Sequence, residues 1–318
     1  MLDAPGAASA LQIRELPVPE ARAGWVLIRV RAFGLNRSEL HTRLGLAVGV
    51  VFPRVLGIEA SGIVVSAPGG EFAPGQQVVA MMGGMGRQFD GGYAEYTLVP
   101  ATQVIPFTSD LDWSIIGAVP EMLQTAYGSL TVGLDAQPGQ SLLIRGGTSS
   151  VGMMTAVLAQ RLGMTVLSTT RDPAKAAGLR AIGVDHVLID DGEVSAQVRR
   201  ILPEGVHGVL ELVGAPTLAD SLAATRYHGT VCFTGMLSNQ WQLPDFYPND
   251  DLPRGVRLAG YHGDASDLPA DVLQQFLDDV AAGRATVPIH RVYTLDEIVA
   301  AHTEMEFGTV SGKIVVTT

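Results

Sequence analysis

The sequence predicts an α/β fold, with a β-rich domain joined to a doubly wound parallel-sheet domain. Three observations carry this. The first hundred residues run in short stretches of alternating apolar and polar side chains, the pattern of half-buried strands. From Ser141 onward, short apolar runs alternate with amphipathic stretches of helical period, as repeated β-α-β units do. A chain of 318 residues, at roughly 150 per domain, has room for two domains with sizeable cores.

In chain order, residues 25–32 (WVLIRVRA) alternate as a strand. Residues 55–65 are apolar with two glycines, which predicts a bent or bulged strand. Pro74-Gly75 marks a turn before a short strand at 77–81. Residues 83–92 hold five glycines and read as an exposed loop, and 93–99 return to strand. Residues 111–134 read as helix. Strands follow at 141–145, 165–169, 186–189, 208–212, 230–234 and 256–260, with helices at 150–162, 173–182, 193–202, 216–225 and 269–282. Short turns between parallel strands place helices on both sheet faces. The closing segment, 291–318, ends in a strand-like KIVVTT, predicts no helix of its own and is expected to rejoin the first domain.

Composition narrows the function. The net charge is −11, from 32 acidic against 21 basic residues, and there is no basic run. That argues against general binding to nucleic acid or an anionic membrane surface. There is no signal-peptide pattern and no apolar run of the ~18–20 residues a span needs, so a cytoplasmic location is expected. The single cysteine, Cys232, excludes an internal disulfide and any metal site with two cysteine ligands, and fits a reducing compartment.

The strongest local signal is residues 141–152, SLLIRGGTSSVG. A strand runs into glycines and then a helix. Gly147, Ser150 and Gly152, with Thr148, Ser149 and Val151 between them, form a G-x-x-S-x-G variant of the dinucleotide fingerprint. Such a turn needs backbone without side chains near a pyrophosphate and a close helix–strand contact. The free N–H groups at the start of the helix would face the phosphates.

The next strand tests which dinucleotide. NAD-binding versions carry an acidic residue at its tip to hold the ribose diol. Here Thr169, Thr170 and Arg171 stand at the tip, with Lys175 a turn beyond. Hydroxyls and two cations suit a 2′-phosphate. The alternative is a pair of ordinary solvated charges. The placement favours the phosphate, as does the fact that Lys175 is one of only two lysines, Lys313 being the other. Asp172 reads as a helix cap ahead of Pro173.

These residues bring a family into view. GLNRSE (34–39), VLGIEASG (55–62), GGYAEY (91–96), TAYG (125–128), the glycine turn and GKIV (312–315) together resemble the medium-chain dehydrogenase/reductase superfamily. The resemblance is to its zinc-independent quinone oxidoreductase branch and covers nearly the whole chain. It implies a GroES-like catalytic domain from residues 1–110 and 285–318. A Rossmann NADP-binding domain would span 111–284, with the active site in the cleft between the two.

Zinc-dependent relatives hold a catalytic metal with a cysteine, a histidine and a third cysteine or acidic ligand. By motif, Asn36 stands at the first position, Ile58 at the second and Glu121 near the third. Isoleucine cannot ligate, and asparagine is a poor zinc ligand beside thiolate or imidazole. The expectation is therefore no metal.

What remains is hydride transfer to an acceptor that needs no Lewis acid. Quinones and α,β-unsaturated carbonyls qualify, because conjugation spreads the incoming charge. The protein would supply orientation and donors near the developing oxyanion. The resemblance implies Asn36 as the first candidate donor. It implies Thr125 at the nicotinamide or its ribose, the alternative being a helix residue that bonds backbone. Gly214, Thr234, Gly235, Met236 and Leu237 follow strands four and five and should edge the nicotinamide pocket. Lys313, in the closing G-K, could approach the cofactor. Some enoyl reductases of the superfamily use a tyrosine acid in the N-terminal domain. The first tyrosine here, Tyr93, lies outside that segment and reads as a packing residue, which leans toward quinones.

The expectation is thus an NADPH-dependent, zinc-independent reductase of a small quinone or enone. Two alternatives stay open: an NADPH-binding regulatory or structural protein with little activity, and an atypical alcohol dehydrogenase. A homodimer is expected through the edge strand at 256–260, since unpaired edges are liabilities.

Overall fold

In the computed structural model, which describes all 318 residues, β1 (Trp25–Gly34) is the strand the alternation predicts, two residues longer. Helix α1 (Arg37–Arg43) follows at once, then β2 (Glu59–Ser66), β3 (Gln77–Met81), β4 (Tyr96–Pro100) and β5 (Val104–Pro106). β1 pairs antiparallel with both β2 and β4. The close approach signalled by the glycines lies between β1 and β2. A Cβ on Gly62 would meet the Arg29 carbonyl at 2.1 Å, and the register shifts between Val30 and Ala32.

Two expectations need correction in this region. Residues 55–58 do not join the strand. Their carbonyls accept from the later loop instead, with Gly91 N–H on Val55 and Tyr93 N–H on Leu56, and Gly57 takes φ +106°. Nor are residues 83–92 simply exposed. Met85 is fully buried, and a Cβ on Gly91 would lie 2.1 Å from the Gly57 carbonyl, so the glycines serve close packing.

The stretch 111–134 is three pieces rather than one helix. Helix α2 (Trp113–Ile116) ends at Gly117, α3 (Pro120–Gly128) starts on a proline that has no N–H to continue the earlier turn, and a π-turn covers Ser129–Gly133.

The parallel sheet is built from β6 (Ser141–Arg145), α4 (Ser150–Arg161), β7 (Thr165–Thr170), α5 (Ala176–Ala181), β8 (His186–Ile189), α6 (Val194–Ile201), β9 (Val206–Glu211), α7 (Ala215–Ala224) and β10 (Thr225–Phe233). A short helix, α8 (Pro248–Asp251), precedes β11 (Arg257–Gly260). The order is β11-β10-β9-β6-β7-β8, parallel at every pair. This is the doubly wound arrangement, with a switch point between β6 and β9. Strand residues alternate between two cores. Leu142, Ile144, Val166 and Leu210 enter one, and Leu143, Leu167 and Val209 the other. Burial on both faces explains why these strands read as continuous apolar runs.

The chain closes with α9 (Ala270–Ala281), β12 (Ile289–Thr294), α10 (Ile298–Phe307) and β13 (Lys313–Thr317). β13 pairs with β1, completing a seven-stranded sheet ordered β12-β13-β1-β2-β3-β5, with β4 on β1. The closing segment does carry a helix, contrary to expectation. Ile298, Ala301 and Met305 recur at helical spacing and are buried, and Gly308 ends α10 in the left-handed region at φ +72°. Helix α9 belongs with this part rather than with the parallel sheet, and Gln274 exchanges hydrogen bonds with the Thr108 backbone.

The predicted α/β class, a β-rich sheet domain and a doubly wound parallel sheet, is the fold observed. The chain forms two compact units, Met1–Gln124 with Gly263–Thr318, and Thr125–His262. They divide at 124/125 and 262/263, where the motif boundaries fall at 110/111 and 284/285. No helix is long and apolar enough to cross a membrane.

Candidate functional site

In the parallel-sheet unit, β6 runs through Gly146, at φ +81°, and Gly147 into α4. Gly146 N–H donates to Thr169 Oγ1 at 3.0 Å, and Gly147 N–H to the Thr169 carbonyl at 3.1 Å. A Cβ on Gly147 would lie 1.8 Å from Ser168 Oγ, and one on Gly152 would lie 2.7 Å from the Gly146 carbonyl. Both positions therefore require glycine on steric grounds. Ser149 caps α4: its hydroxyl donates to Gly146 O at 2.8 Å and accepts from Gly152 N–H at 3.1 Å. Ser150 and Val151 open the helix, so their N–H groups have no partner within it. With Thr148 they are partly exposed. A turn built on two glycines at a helix N-terminus suits a pyrophosphate.

At the tip of β7 the structure corrects the reading of the threonines. Both are buried and their hydroxyls are already used. Thr169 Oγ1 accepts from Gly146, and Thr170 Oγ1 bonds the backbone of Asp172. Arg171 is exposed and Lys175 partly so. Of the residues expected to meet a phosphate here, the two cations, unlike the hydroxyls, reach the surface. Asp172 caps the following 3-10 turn through Ala174 N–H, as expected.

Two charged residues at strand ends carry roles that sequence reading missed. Glu211 ends β9 with its carboxylate buried. It accepts from Val213 N–H at 2.7 Å, Gly214 N–H at 3.0 Å, Thr217 Oγ1 at 2.9 Å and Ser221 Oγ at 2.5 Å. Burial raises its pKa, opposed by the Ser221 hydrogen bond. Its backbone carbonyl takes the N–H groups of Thr234 and Gly235, and Leu237 N–H bonds Leu212 O. Thus Gly214, Thr234, Gly235 and Met236 form one continuous rim after β9 and β10. Thr234 Oγ1 also meets Ser129 Oγ at 3.1 Å. Arg145 ends β6, fully buried, in a bidentate bond to Asp190 (2.7 and 2.9 Å) and a third to Asp220 (2.6 Å). A charge closing an apolar strand was the available signal for both. Thr125 is buried within α3.

In the β-rich unit, five residues from four separate stretches of the sequence meet in a buried polar cluster. Lys313, at the start of β13, is fully buried. Its Nζ donates to Asn36 Oδ1 at 2.5 Å and Glu121 Oε2 at 3.1 Å and lies 2.7 Å from Glu59 Oε1. Asn36 Nδ2 donates to Glu59 Oε1 at 2.9 Å and Glu39 Oε1 at 3.3 Å. Glu39 also accepts from Asn36 N–H at 3.0 Å and Ile58 N–H at 2.9 Å, and Glu59 Oε2 from Glu121 N–H at 2.8 Å.

The electrostatics follow from this closure. Burial raises the Glu39 pKa to about 7, despite the Ile58 N–H bond. Burial also raises that of Glu59, with Lys313 pulling the other way. For Lys313, burial would lower the pKa, but Glu59 and Glu121 outweigh it and bring it to about 12. The ammonium is therefore charged at neutral pH. Two expectations change here. Asn36 has both amide hydrogens directed at carboxylates, so it holds the cluster instead of offering a spare donor. The Lys313 ammonium is committed inside the β-rich unit. Tyr93 is buried, stacked on Phe33 at 4.6 Å between ring centroids with its hydroxyl 3.0 Å from His302 Nε2, a packing residue as expected.

Residues 22–109 match the family described as alcohol dehydrogenase GroES-like domain, and residues 182–316 the family described as zinc-binding dehydrogenase. YhfP of Bacillus subtilis, provisionally named a quinone oxidoreductase, is 26% identical over 300 residues, covering 92% of this chain and 89% of its own. A quinone oxidoreductase structure from Pseudomonas syringae superposes with a TM-score of 0.88 at 21% identity, covering 100% of this chain and 98% of its own. A mycobacterial structure complexed with NADPH superposes with a TM-score of 0.87 at 24% identity, also covering 100% and 98%. The chain belongs to the quinone oxidoreductase-like branch of the medium-chain dehydrogenase/reductase superfamily.

As a medium-chain dehydrogenase/reductase, the chain has a GroES-like sheet domain and a Rossmann-like domain. One of its two family descriptions names zinc, so the donor set must be tested against that metal. No group of three or more His, Cys, Asp or Glu side chains is arranged to hold a metal ion. At the positions where zinc-dependent members of the superfamily ligate, this one offers an amide (Asn36), an alkyl group (Ile58) and a carboxylate (Glu121). The amide and the carboxylate already hold the Lys313 ammonium. A divalent cation there would face a fixed positive charge within bonding distance. The residues present do not fit catalytic zinc.

Proposed function

We propose that this oxidoreductase is a zinc-independent, NADPH-dependent reductase that passes hydride to a small quinone or α,β-unsaturated carbonyl. The observation that carries the reading is the turn at 146–152 with the β7 tip beside it. Gly147 and Gly152 let the turn pack against Ser168 and the Gly146 carbonyl more closely than any Cβ allows, the first N–H groups of α4 have no partner within the helix, and Arg171 and Lys175 follow β7 where NAD-binding versions of this fold carry an acidic ribose ligand.

The nicotinamide supplies a hydride when bound. The protein's part is positioning. The turn fixes the pyrophosphate. Arg171 and Lys175 take the 2′-phosphate by charge-assisted bonds. The rim of Gly214, Thr234, Gly235 and Met236 bounds the pocket, and Thr125 orients the nicotinamide end. Conjugation in the acceptor disperses the incoming charge, so no Lewis acid is called for, and water supplies the proton that completes a hydroquinone or saturated carbonyl. Edge strand β11 pairs with its mate in a homodimer.

The deciding experiment follows NADPH and NADH oxidation with a simple quinone, an enone and a ketone, with and without chelator. Turnover preferring NADPH, retained under chelator, is expected with the quinone or the enone. Tight NADPH binding without oxidation by any acceptor would leave a nucleotide-binding protein instead. Chelator-sensitive turnover with alcohols or ketones would return the alcohol dehydrogenase reading.

A further inference from the structure

The two arginines that the fold buries completely are both answered by carboxylates. Arg43 meets Glu306, and Arg145 holds Asp190 and Asp220. Arg87 has no such answer, although acidic residues outnumber basic ones by 32 to 21. It is half-buried, and its Nε is shut off from solvent without an acceptor. Its protein partner is neutral: Nη2 donates to Ser38 Oγ at 2.8 Å. A cation stripped of part of its water and given no counter-charge is unfavourable until an anion completes it. We infer that Arg87 and Ser38 form an anion subsite that takes a carboxylate on the acceptor, so that acidic quinones or enones are the preferred substrates. The inference rests on the reductase reading and narrows it to a substrate class.

Three features support a subsite rather than a stray surface charge. First, the loop that carries Arg87 is pinned. Met85 is fully buried, Gly86 at φ +70° packs so closely that a Cβ would lie 2.7 Å from the Gly57 carbonyl, and Arg87 N–H donates to Gly84 O at 3.1 Å. A cation held on a fixed backbone gives up little freedom when it binds. Second, Ser38 still has a hydrogen to give. Its oxygen accepts from Arg87, and no protein group takes its own proton. Guanidinium and hydroxyl together offer donors to the two oxygens of one carboxylate. Third, the carboxylate next in sequence is turned away. Glu39 accepts from Asn36 N–H, Asn36 Nδ2 and Ile58 N–H, and so does not neutralise Arg87. On the reductase reading, the dinucleotide's phosphates are met by the α4 N–H groups, Arg171 and Lys175, all in the parallel-sheet unit. Arg87 and Ser38 belong to the β-rich unit, and the acceptor is the molecule left to supply their anion.

The test sets an acid against its ester. β-Acetylacrylate and its methyl ester are both enones, and the ester is the more electrophilic, so a preference for the acid cannot come from intrinsic reactivity. Wild-type protein should oxidise NADPH with the acid at a kcat/KM at least about tenfold above that with the ester. Arg87→Met, which keeps the aliphatic stem, should bring that ratio toward one, chiefly through KM for the acid. A second readout needs no turnover. Levulinate, the saturated acid, is titrated calorimetrically and should bind wild type at least about tenfold more tightly than Arg87→Met. A wild-type acid-to-ester ratio near one, a ratio that Arg87→Met leaves unchanged, or equal levulinate affinity in both proteins overturns the inference. Weakened NADPH binding in Arg87→Met with the ratio unchanged assigns the anion to the cofactor and likewise overturns it. Should Arg87→Met not fold, Ser38→Ala carries the test: a severalfold lower ratio is expected, and a wild-type ratio overturns the pairing. Benzoquinone, which carries no anion, separates the two readings. If neither it nor the enones oxidise NADPH, the reductase reading fails and the levulinate titration alone decides the subsite.

Discussion

Gly34 and Lys313 touch so closely that the glycine's missing methyl group is the space the lysine occupies. A Cβ on Gly34 would lie 2.1 Å from Lys313 Cε. Gly34 is not in the left-handed region, so its identity is a matter of room. Gly34→Ala must push a fully buried, triply bonded lysine off its carboxylates. Overpacking of a close-fitting core costs about 1–3 kcal/mol. Urea denaturation should show a midpoint lowered accordingly. A midpoint within error of wild type would mean that the lysine has another place to go.

Glu39 makes part of the stability depend on pH. Its pKa rises from 4.5 to about 7 on folding, chiefly through burial. The folded state therefore binds this proton more tightly than the unfolded chain. By linkage, its contribution to stability falls as pH rises from about 4.5 to about 7, then levels off. Glu39→Gln removes that dependence. The stability difference between wild type and Glu39→Gln, measured in urea from pH 4.5 to 8, should move in the variant's favour through this window by up to about 3 kcal/mol. A shift of the opposite sign would show that the Glu39 carboxyl is held ionised.

Arg145 should be costly to remove. Its guanidinium is fully buried between Asp190 and Asp220. Asp220 also receives the Val194 and Ser195 N–H groups at the start of α6. Breaking a buried pair by deleting one partner costs about 3–5 kcal/mol, because the other charge is stranded. Here the carboxylates keep some solvent contact, so Arg145→Met should lose toward 3 kcal/mol in chemical denaturation. Because Arg145 directly precedes Gly146, NADPH affinity should weaken as well. Unchanged denaturation would mean that water satisfies both aspartates.

The parallel sheet was legible because each strand is buried on both faces. Leu142, Leu143 and Ile144 must all be apolar, and the glycine turn that follows them has no side-chain latitude at 147 and 152. Helix α10 was not legible. It lies between two strands at the end of the chain, and its buried set of Ile298, Ala301 and Met305 is sparse. The polar cluster was half legible. Asn36, Glu121 and Lys313 each stand out singly, yet positions 36, 39, 59 and 313 meet only through the pairing of β13 with β1 and β1 with β2, and 121 joins them only where the start of α3 bonds Glu59. The same tertiary fact redirected the reading of Asn36 and Lys313, whose polar atoms are consumed by partners that no local pattern announces. Thr169 and Thr170 fared alike, since a hydroxyl at a strand tip serves ligand or backbone equally well until the turn is seen.

The edge strand β11 offers a separate check. Arg257 and Leu258 are exposed on it, and it pairs with β10 alone. Light scattering should give the mass of two chains. Leu258→Pro removes a backbone donor from the edge and should shift the population to one chain. A wild-type monomer would refute the pairing.

The cofactor prediction rests on two side chains. The threonine hydroxyls are spent, so on the proposed reading Arg171 and Lys175 are the side chains expected to favour NADPH over NADH at the β7 tip. A charge-assisted hydrogen bond contributes about 1.5–3 kcal/mol, which converts to roughly 10- to 150-fold in KM. Arg171→Ala and Lys175→Ala should each raise KM for NADPH within that range while leaving kcat and the KM for NADH nearly unchanged. Raised salt should weaken NADPH binding to wild type more than to either variant, because the contact is electrostatic and partly exposed. Equal loss toward both cofactors would place these residues in the architecture of the turn instead. A wild-type preference for NADH would remove the 2′-phosphate from the site altogether.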